Sequence, residues 1–116
     1  MSAAEHHHRI DYLEFNVASI AACKAFFGEA FGWTFQDYGP DYCEFRDGRL
    51  CGGFAHASPR PGGALVVLAS TALEDSLAKV EAAGGRICHP IFSFPGGRRF
   101  HFLDPDGYEW AVWSAS

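Results

Sequence analysis

The stretch RRFHFLDPDGYEWAVW, Arg98 to Trp113, restricts the fold of this chain more than any other. Two apolar, aromatic runs flank Asp104-Pro105-Asp106-Gly107. Proline at the second turn position and glycine at the fourth suit a type I turn followed by a left-handed residue. With Gly107 in the bulge position, Asp104 pairs with Tyr108. That register sets Leu103 opposite Glu109, His101 opposite Ala111 and Arg99 opposite Trp113. Opposed residues share a face of a sheet. Phe100, Phe102, Tyr108, Trp110 and Val112 make the better core face, so Arg99, His101, Leu103, Glu109, Ala111 and Trp113 are expected to line a cavity or solvent.

Upstream of the hairpin the same kind of pattern runs twice. Ile10 to Val17 alternates, with Leu13, Phe15 and Val17 on one side and Tyr12, Glu14 and Asn16 on the other, as a half-buried strand does. Ser19 is placed to cap a helix through about Ala30, with Ile20, Cys23, Phe26, Phe27 and Ala30 as its apolar stripe and Gly32 as its stop. Three short strands follow at Trp33–Asp37, Tyr42–Arg46 and Leu50–Ala55, with a hairpin signal at Asp47-Gly48. After the linker-like SPRPGG the order restarts. Leu65–Ala69 reads as a strand, Thr71 as the cap of a helix from about Ala72 to Ala83, and Gly84-Gly85 as its end. Strands are expected near Arg86–His89, Arg98–Leu103 and Tyr108–Trp113. Setting Gly32 on Gly84 also sets Glu29 on Glu81, Ala30 on Ala82 and Leu13 on Leu65, so the chain reads as an internal duplication. The expected class is α+β: two tandem β-α-β-β-β modules, 9–57 and 64–114, joined by a linker at 58–63 and forming curved mixed sheets around a cleft. One half has too little core to stand alone, and the unpaired strand edges predict a twofold homodimer.

Composition narrows the function. A formal net charge of -5 with nine Lys and Arg scattered along 116 residues argues against nucleic acid as a partner, since phosphate neutralisation needs clustered cations. No apolar run approaches a membrane span, and the N-terminus lacks the layout of a signal peptide, so a cytoplasmic protein is expected. Cys23, Cys43, Cys51 and Cys88 form no C-x-x-C pair and read as buried free thiols. His6, His7 and His8 cannot all face one site and read as a flexible terminus.

LEFNVASIAACKAFFGEAFGWTF in the first half, with LAKVEAAGG and RRFHFLDPDGYEWAVW in the second, resembles the vicinal oxygen chelate superfamily of glyoxalases, bleomycin-resistance proteins, fosfomycin-resistance enzymes and extradiol dioxygenases. The resemblance covers Ile10 to Trp113. It implies paired β-α-β-β-β modules, commonly in a homodimer, and a divalent metal held by four His, Glu or Gln side chains on the first and last strands of each module. Anchored on the helix-ending glycines and the DPDG turn, those positions fall at Tyr12, Gly53, Leu65 and Ala111. A phenol, a glycine, a leucine and an alanine offer almost nothing to such an ion. No metal or other cofactor is therefore expected in the family's position, which removes the centre of glyoxalase and dioxygenase chemistry.

The remaining cleft-facing set is Tyr12, Glu14, Asn16, Leu65, Val67, Arg99, Ala111 and Trp113 with His101 and Glu109, an apolar pocket with a few polar groups as small-molecule sites have. His101 and Glu109 are diagonal neighbours able to act as an acid-base pair, with Glu14 as a second carboxylate. An ion pair without chemistry is the alternative. His56 and His89, near strand ends, are weaker ligand candidates, and Gly96-Gly97 with Arg98 and Arg99 reads first as a mobile Gly-rich loop, with an anion-binding loop over the cleft as the alternative. Three functions follow. The first is a binding protein that sequesters a small molecule, similar to bleomycin-resistance proteins. The second is a lyase or isomerase, metal-free or with a metal displaced onto Glu14, His101 and Glu109; oxygenase chemistry ranks below it. The third is an interaction module with a vestigial cleft.

Overall fold

The computed structural model describes residues 3–116 and divides into two compact units, Tyr12–Leu65 and residues 3–11 with Val66–Ser116. In chain order the elements are α1 (Ala3–His6), β1 (Ile10–Val17), α2 (Ile20–Phe31), β2 (Thr34–Asp37), β3 (Tyr42–Arg46) and β4 (Cys51–His56). They continue with β5 (Leu65–Ala69), α3 (Leu73–Ala82), β6 (Arg86–Phe94), β7 (Gly97–Leu103) and β8 (Glu109–Ser114). The class is α+β, and β-α-β-β-β occurs twice. In the first repeat β1 lies parallel to β4, and β4, β3 and β2 pair antiparallel. In the second, β5 lies parallel to β8, and β8, β7 and β6 pair antiparallel. No helix among the described residues is long and apolar enough to cross a membrane.

In the first unit the helix begins and ends as its sequence dictates. Ser19 Oγ accepts the Ala22 N–H at 3.1 Å, and Gly32 takes the left-handed conformation with φ 73°. Of the expected stripe, Ile20, Cys23 and Phe27 face the strands, whereas Phe26 and Ala30 do not. Ile20, Cys23, Lys24, Phe27 and Gly28 are partly covered, whereas Phe26 and Phe31 are 59% and 65% exposed. Phe27 turns to the strands because its ring stacks on those of Trp33 and Phe54. The core is aromatic: Phe27 stacks on Trp33 (4.5 Å), Trp33 on Phe45 (4.9 Å) and Phe45 against Phe54 (4.8 Å).

The second unit buries the hairpin face that its sequence marks as core. Leu73, Phe100 and Val112 are almost fully enclosed, with Leu68, Leu77, Val80, Ile87, Ile91 and Phe102 packed around them. The register also follows: Arg99 opposes Trp113, His101 opposes Ala111 and Leu103 opposes Glu109. Gly107 has φ 86°, and Asp104 N–H donates to the Tyr108 carbonyl at 3.0 Å. Tyr108 departs from the expectation and is 68% exposed, because it belongs to the turn ahead of β8 and not to the strand.

Three further expectations are corrected. Thr71 does not cap α3: its hydroxyl meets His7 Nδ1 at 3.2 Å, and Ser70 Oγ accepts the Ala72 N–H instead. The histidine run is anchored, with His6 Nδ1 on Asp11 (2.8 Å), His7 Nδ1 accepting from Thr71 N–H (3.0 Å) and His8 Nε2 on Ser76 Oγ (2.8 Å). Of the four free cysteines, only Cys43 is buried and Cys23 is partly covered, while Cys51 and Cys88 are exposed. Pairing also places Glu14 opposite Gly53 as it places Val67 opposite Ala111. With Gly53 and Ala111 as equivalents, Leu13 then answers to Val66, one residue beyond the alignment read from the helix-ending glycines.

Candidate functional site

Two polar clusters stand out, one in each unit. In the first unit, Tyr42 Oη donates to Glu14 Oε2 at 3.1 Å and lies 2.7 Å from Tyr12 Oη. A phenol has one proton, so Tyr42 gives its proton to the carboxylate and Tyr12 donates to Tyr42. Glu14 is buried, which sequence alternation alone did not require. Burial pushes the Tyr12 hydroxyl up to about 12 and pushes that of Tyr42 up further, so both phenols are neutral at physiological pH. Gly53 lies directly under them. A Cβ on Gly53 would come within 1.9 Å of Tyr42 Oη and 2.6 Å of Tyr12 Oη.

The second cluster is built on the β6–β7–β8 sheet. His101 Nδ1 lies 2.7 Å from Glu109 Oε2, the diagonal contact that the hairpin register allows. A carboxylate only accepts, so Nδ1 carries the proton and Nε2 presents its lone pair. Nε2 is buried without a hydrogen-bond partner. Burial lowers the His101 pKa against the opposing pull of Glu109, which keeps the ring neutral. His89 completes the group, edge-on to His101 at 4.9 Å and with Nε2 3.8 Å from Glu109 Oε2.

The other expected site residues are placed as follows. Asn16 is partly covered on β1, opposite Ala55. Leu65, Val67 and Ala111 are buried to 3% exposure or less, so they fill volume instead of forming an open wall. Trp113 Nε1 donates to Asp11 Oδ2 at 2.9 Å. Arg98 forks onto Glu74 and the Ser116 carbonyl, and Arg99 lies 5.5 Å from the ring centroids of Phe92 and Phe94. The arginines expected to hold an anion are therefore engaged within the chain. His56 approaches Asp41 at 3.4 Å on the exposed edge of the first unit. Tyr42 and Cys88 were missed from sequence. Alternation places Tyr42 at a strand start with no hint of a phenol pair, and Cys88 enters only through an irregularity in β6.

Comparison with known proteins gives a consistent fold. A family model described as Glyoxalase/Bleomycin resistance protein/Dioxygenase superfamily matches residues 9–112. The Mn(II)-bound glyoxalase from Novosphingobium aromaticivorans is 25% identical with a TM-score of 0.70, covering 95% of this chain, which spans only 40% of that longer one. A glyoxalase/bleomycin resistance protein/dioxygenase superfamily member from Vibrio splendidus 12B01 is 17% identical (TM-score 0.70; 91% of this chain, 97% of the other). Methylmalonyl-CoA epimerase from Mycobacterium tuberculosis is 9% identical (TM-score 0.72; 92% and 87%). At 17% and 9% identity the last two show the fold alone. No curated protein sequence matches the chain.

Proposed function

We propose that this chain, which belongs to the Glyoxalase/Bleomycin resistance protein/Dioxygenase superfamily, is a small-molecule-binding protein that holds its ligand without the four-ligand metal of the family's enzymes. Gly53 carries the reading. The space that a metal-binding side chain would need at that position is filled by the Tyr42 and Tyr12 hydroxyls. Neutral phenols with raised pKa values are poor metal ligands, while they are good hydrogen-bonding partners for a polar organic molecule. Leu65 and Ala111, at the other two positions, are buried aliphatic side chains. The reading includes a cytoplasmic location and a twofold homodimer, for which the exposed Phe26 and Phe31 speak.

The test is a thermal-shift panel of metabolites with aromatic and glycopeptide antibiotics, run with and without EDTA. At least one compound is expected to raise the melting temperature in a dose-dependent way, unchanged by EDTA and weakened in Tyr42→Phe. Silence across the panel, or a shift that EDTA abolishes, would sink the reading. The 2.7 Å contact between neutral His101 and Glu109 favours a second reading, a metal-free lyase or isomerase. Turnover of a bound panel compound, lost in His101→Gln, would select it over simple sequestration.

A further inference from the structure

We propose that Cys88, His89 and Glu109 form a site for a zinc-class divalent metal, away from the positions that the family uses and separate from the Tyr12–Tyr42 cluster on which the binding reading above rests. The Sγ, imidazole nitrogen and carboxylate oxygen of these three residues all lie within 4.8 Å of one another. The separation already set between His89 Nε2 and Glu109 Oε2 is 3.8 Å. Two donors held about 2.1 Å from one ion at tetrahedral angles are roughly 3.5 Å apart, so small side-chain movements close the site.

Adjacent residues of a regular strand point to opposite faces, and Cys88 and His89 ought not to share a ligand. They do so because β6 is irregular at this point. The register runs from Ile87 opposite Phe102 to His89 opposite His101, leaving Cys88 as the extra residue, and shifts again before Phe92 pairs with Arg99. Such a bulge re-aims side chains. Pro90, which has no N–H to give to a ladder, sits inside the second shift on a strand at the sheet edge.

The surroundings suit a metal in two further ways. His101 holds Glu109 from behind, its Nδ1–H on Oε2, as the carboxylate ligands of metal sites are usually held. Cys88 and His89 are exposed, so an ion bound by three protein groups keeps a position open to solvent or a small ligand. Thiolate, imidazole and carboxylate together favour zinc or cobalt over magnesium, manganese or calcium, which prefer all-oxygen sets. One thiolate and one carboxylate neutralise the ion's two charges.

Cobalt(II) titration of the full chain tests the site by absorbance, because a thiolate-to-cobalt charge-transfer band reports a bound cysteine and cannot arise from the histidines at positions 6–8. One equivalent of cobalt is expected to develop that band with the visible bands of a tetrahedral ion, and zinc should bleach both. The band should vanish in Cys88→Ser and persist in Cys51→Ser, the control for the other exposed thiol. His89→Gln and Glu109→Gln should each weaken cobalt binding at least tenfold. Absence of the band, its survival in Cys88→Ser, or unchanged affinity in both glutamine variants would overturn the proposal. Repeating the antibiotic and metabolite panel on Cys88→Ser separates the two sites, since a shift that survives there does not come from an ion held by Cys88, His89 and Glu109.

Discussion

The two repeats share one connectivity and solve the packing of their helices differently. In the second, α3 presses Leu73 into an enclosed cluster with Phe100 and Val112, each 2% exposed or less. In the first, α2 buries no residue fully, and its contacts are stacked aromatic rings with Phe26 and Phe31 left facing outward. Duplication thus preserves topology while each copy finds its own core chemistry. The second copy closes its core around Leu73, Phe100 and Val112, and the first leaves Phe26 and Phe31 exposed.

The largest expected effect breaks or confirms that contrast directly. Phe100→Ala removes a fully buried ring and should cost about 3–5 kcal/mol, whereas Phe26→Ala should change stability by no more than about 0.5 kcal/mol. Urea denaturation of dilute samples measures both, and equal losses would dissolve the comparison. Sedimentation sharpens it further, since loss of a dimer in Phe26→Ala without loss of chain stability would assign the exposed face. Next in size is Gly53→Ala, where the added methyl meets Tyr42 Oη at 1.9 Å and the ring carbon behind it at 2.4 Å. Overpacking of this kind costs about 1–3 kcal/mol. Tyr42→Ala in the same chain should recover part of the loss, a coupling that a double-mutant cycle reads.

Acid should separate the two polar clusters. The folded pKa of His101 is depressed by burial below its unfolded value of 6.5. Between the two values the unfolded chain binds more protons, so stability is full above pH 6.5 and is lost as the pH falls through this window. The melting temperature of the parent should therefore fall below pH 6.5 more steeply than that of His101→Gln. The Tyr12–Tyr42 pair titrates far above this range and should contribute no slope there.

What was legible in the sequence was whatever a short local pattern determines. The DPDG turn fixed the register that brings His101 to Glu109, and Ser19 with Gly32 bounded α2 to within a residue. The hidden features depend on neighbours distant in sequence or on a broken period. Helical spacing offered Phe26 and Phe27 equally, and the rings of Trp33 and Phe54, which stack on Phe27 and leave Phe26 exposed, decide between them. Glu14 reads as a polar residue on a half-open strand until Tyr42, from β3, is seen to donate to it. Period-two counting cannot foresee that Cys88 and His89 share a side, because the β6 bulge cancels the alternation on which the counting rests.

The smallest effect distinguishes the two helix starts, which look alike in sequence: a hydroxyl residue stands just before the apolar run in each. Ser19 performs the cap, its Oγ receiving a backbone N–H of the first turn, and Ser19→Ala should cost about 1 kcal/mol. Thr71 is one residue too early. The N-cap position of α3 is Ala72, which makes no side-chain cap. Ser70 takes the Ala72 N–H and is bonded at 2.7 Å to Ser76, which is in turn bonded to His8. Thr71→Ala thus loses only an exposed contact with His7 and should stay within about 0.5 kcal/mol of the parent. Measured side by side by thermal melting, a loss in Thr71→Ala as large as that in Ser19→Ala would mean that α3 is capped by its threonine after all. The Ser70–Ser76–His8 chain would then not be what holds the N-terminal arm and the start of α3 together.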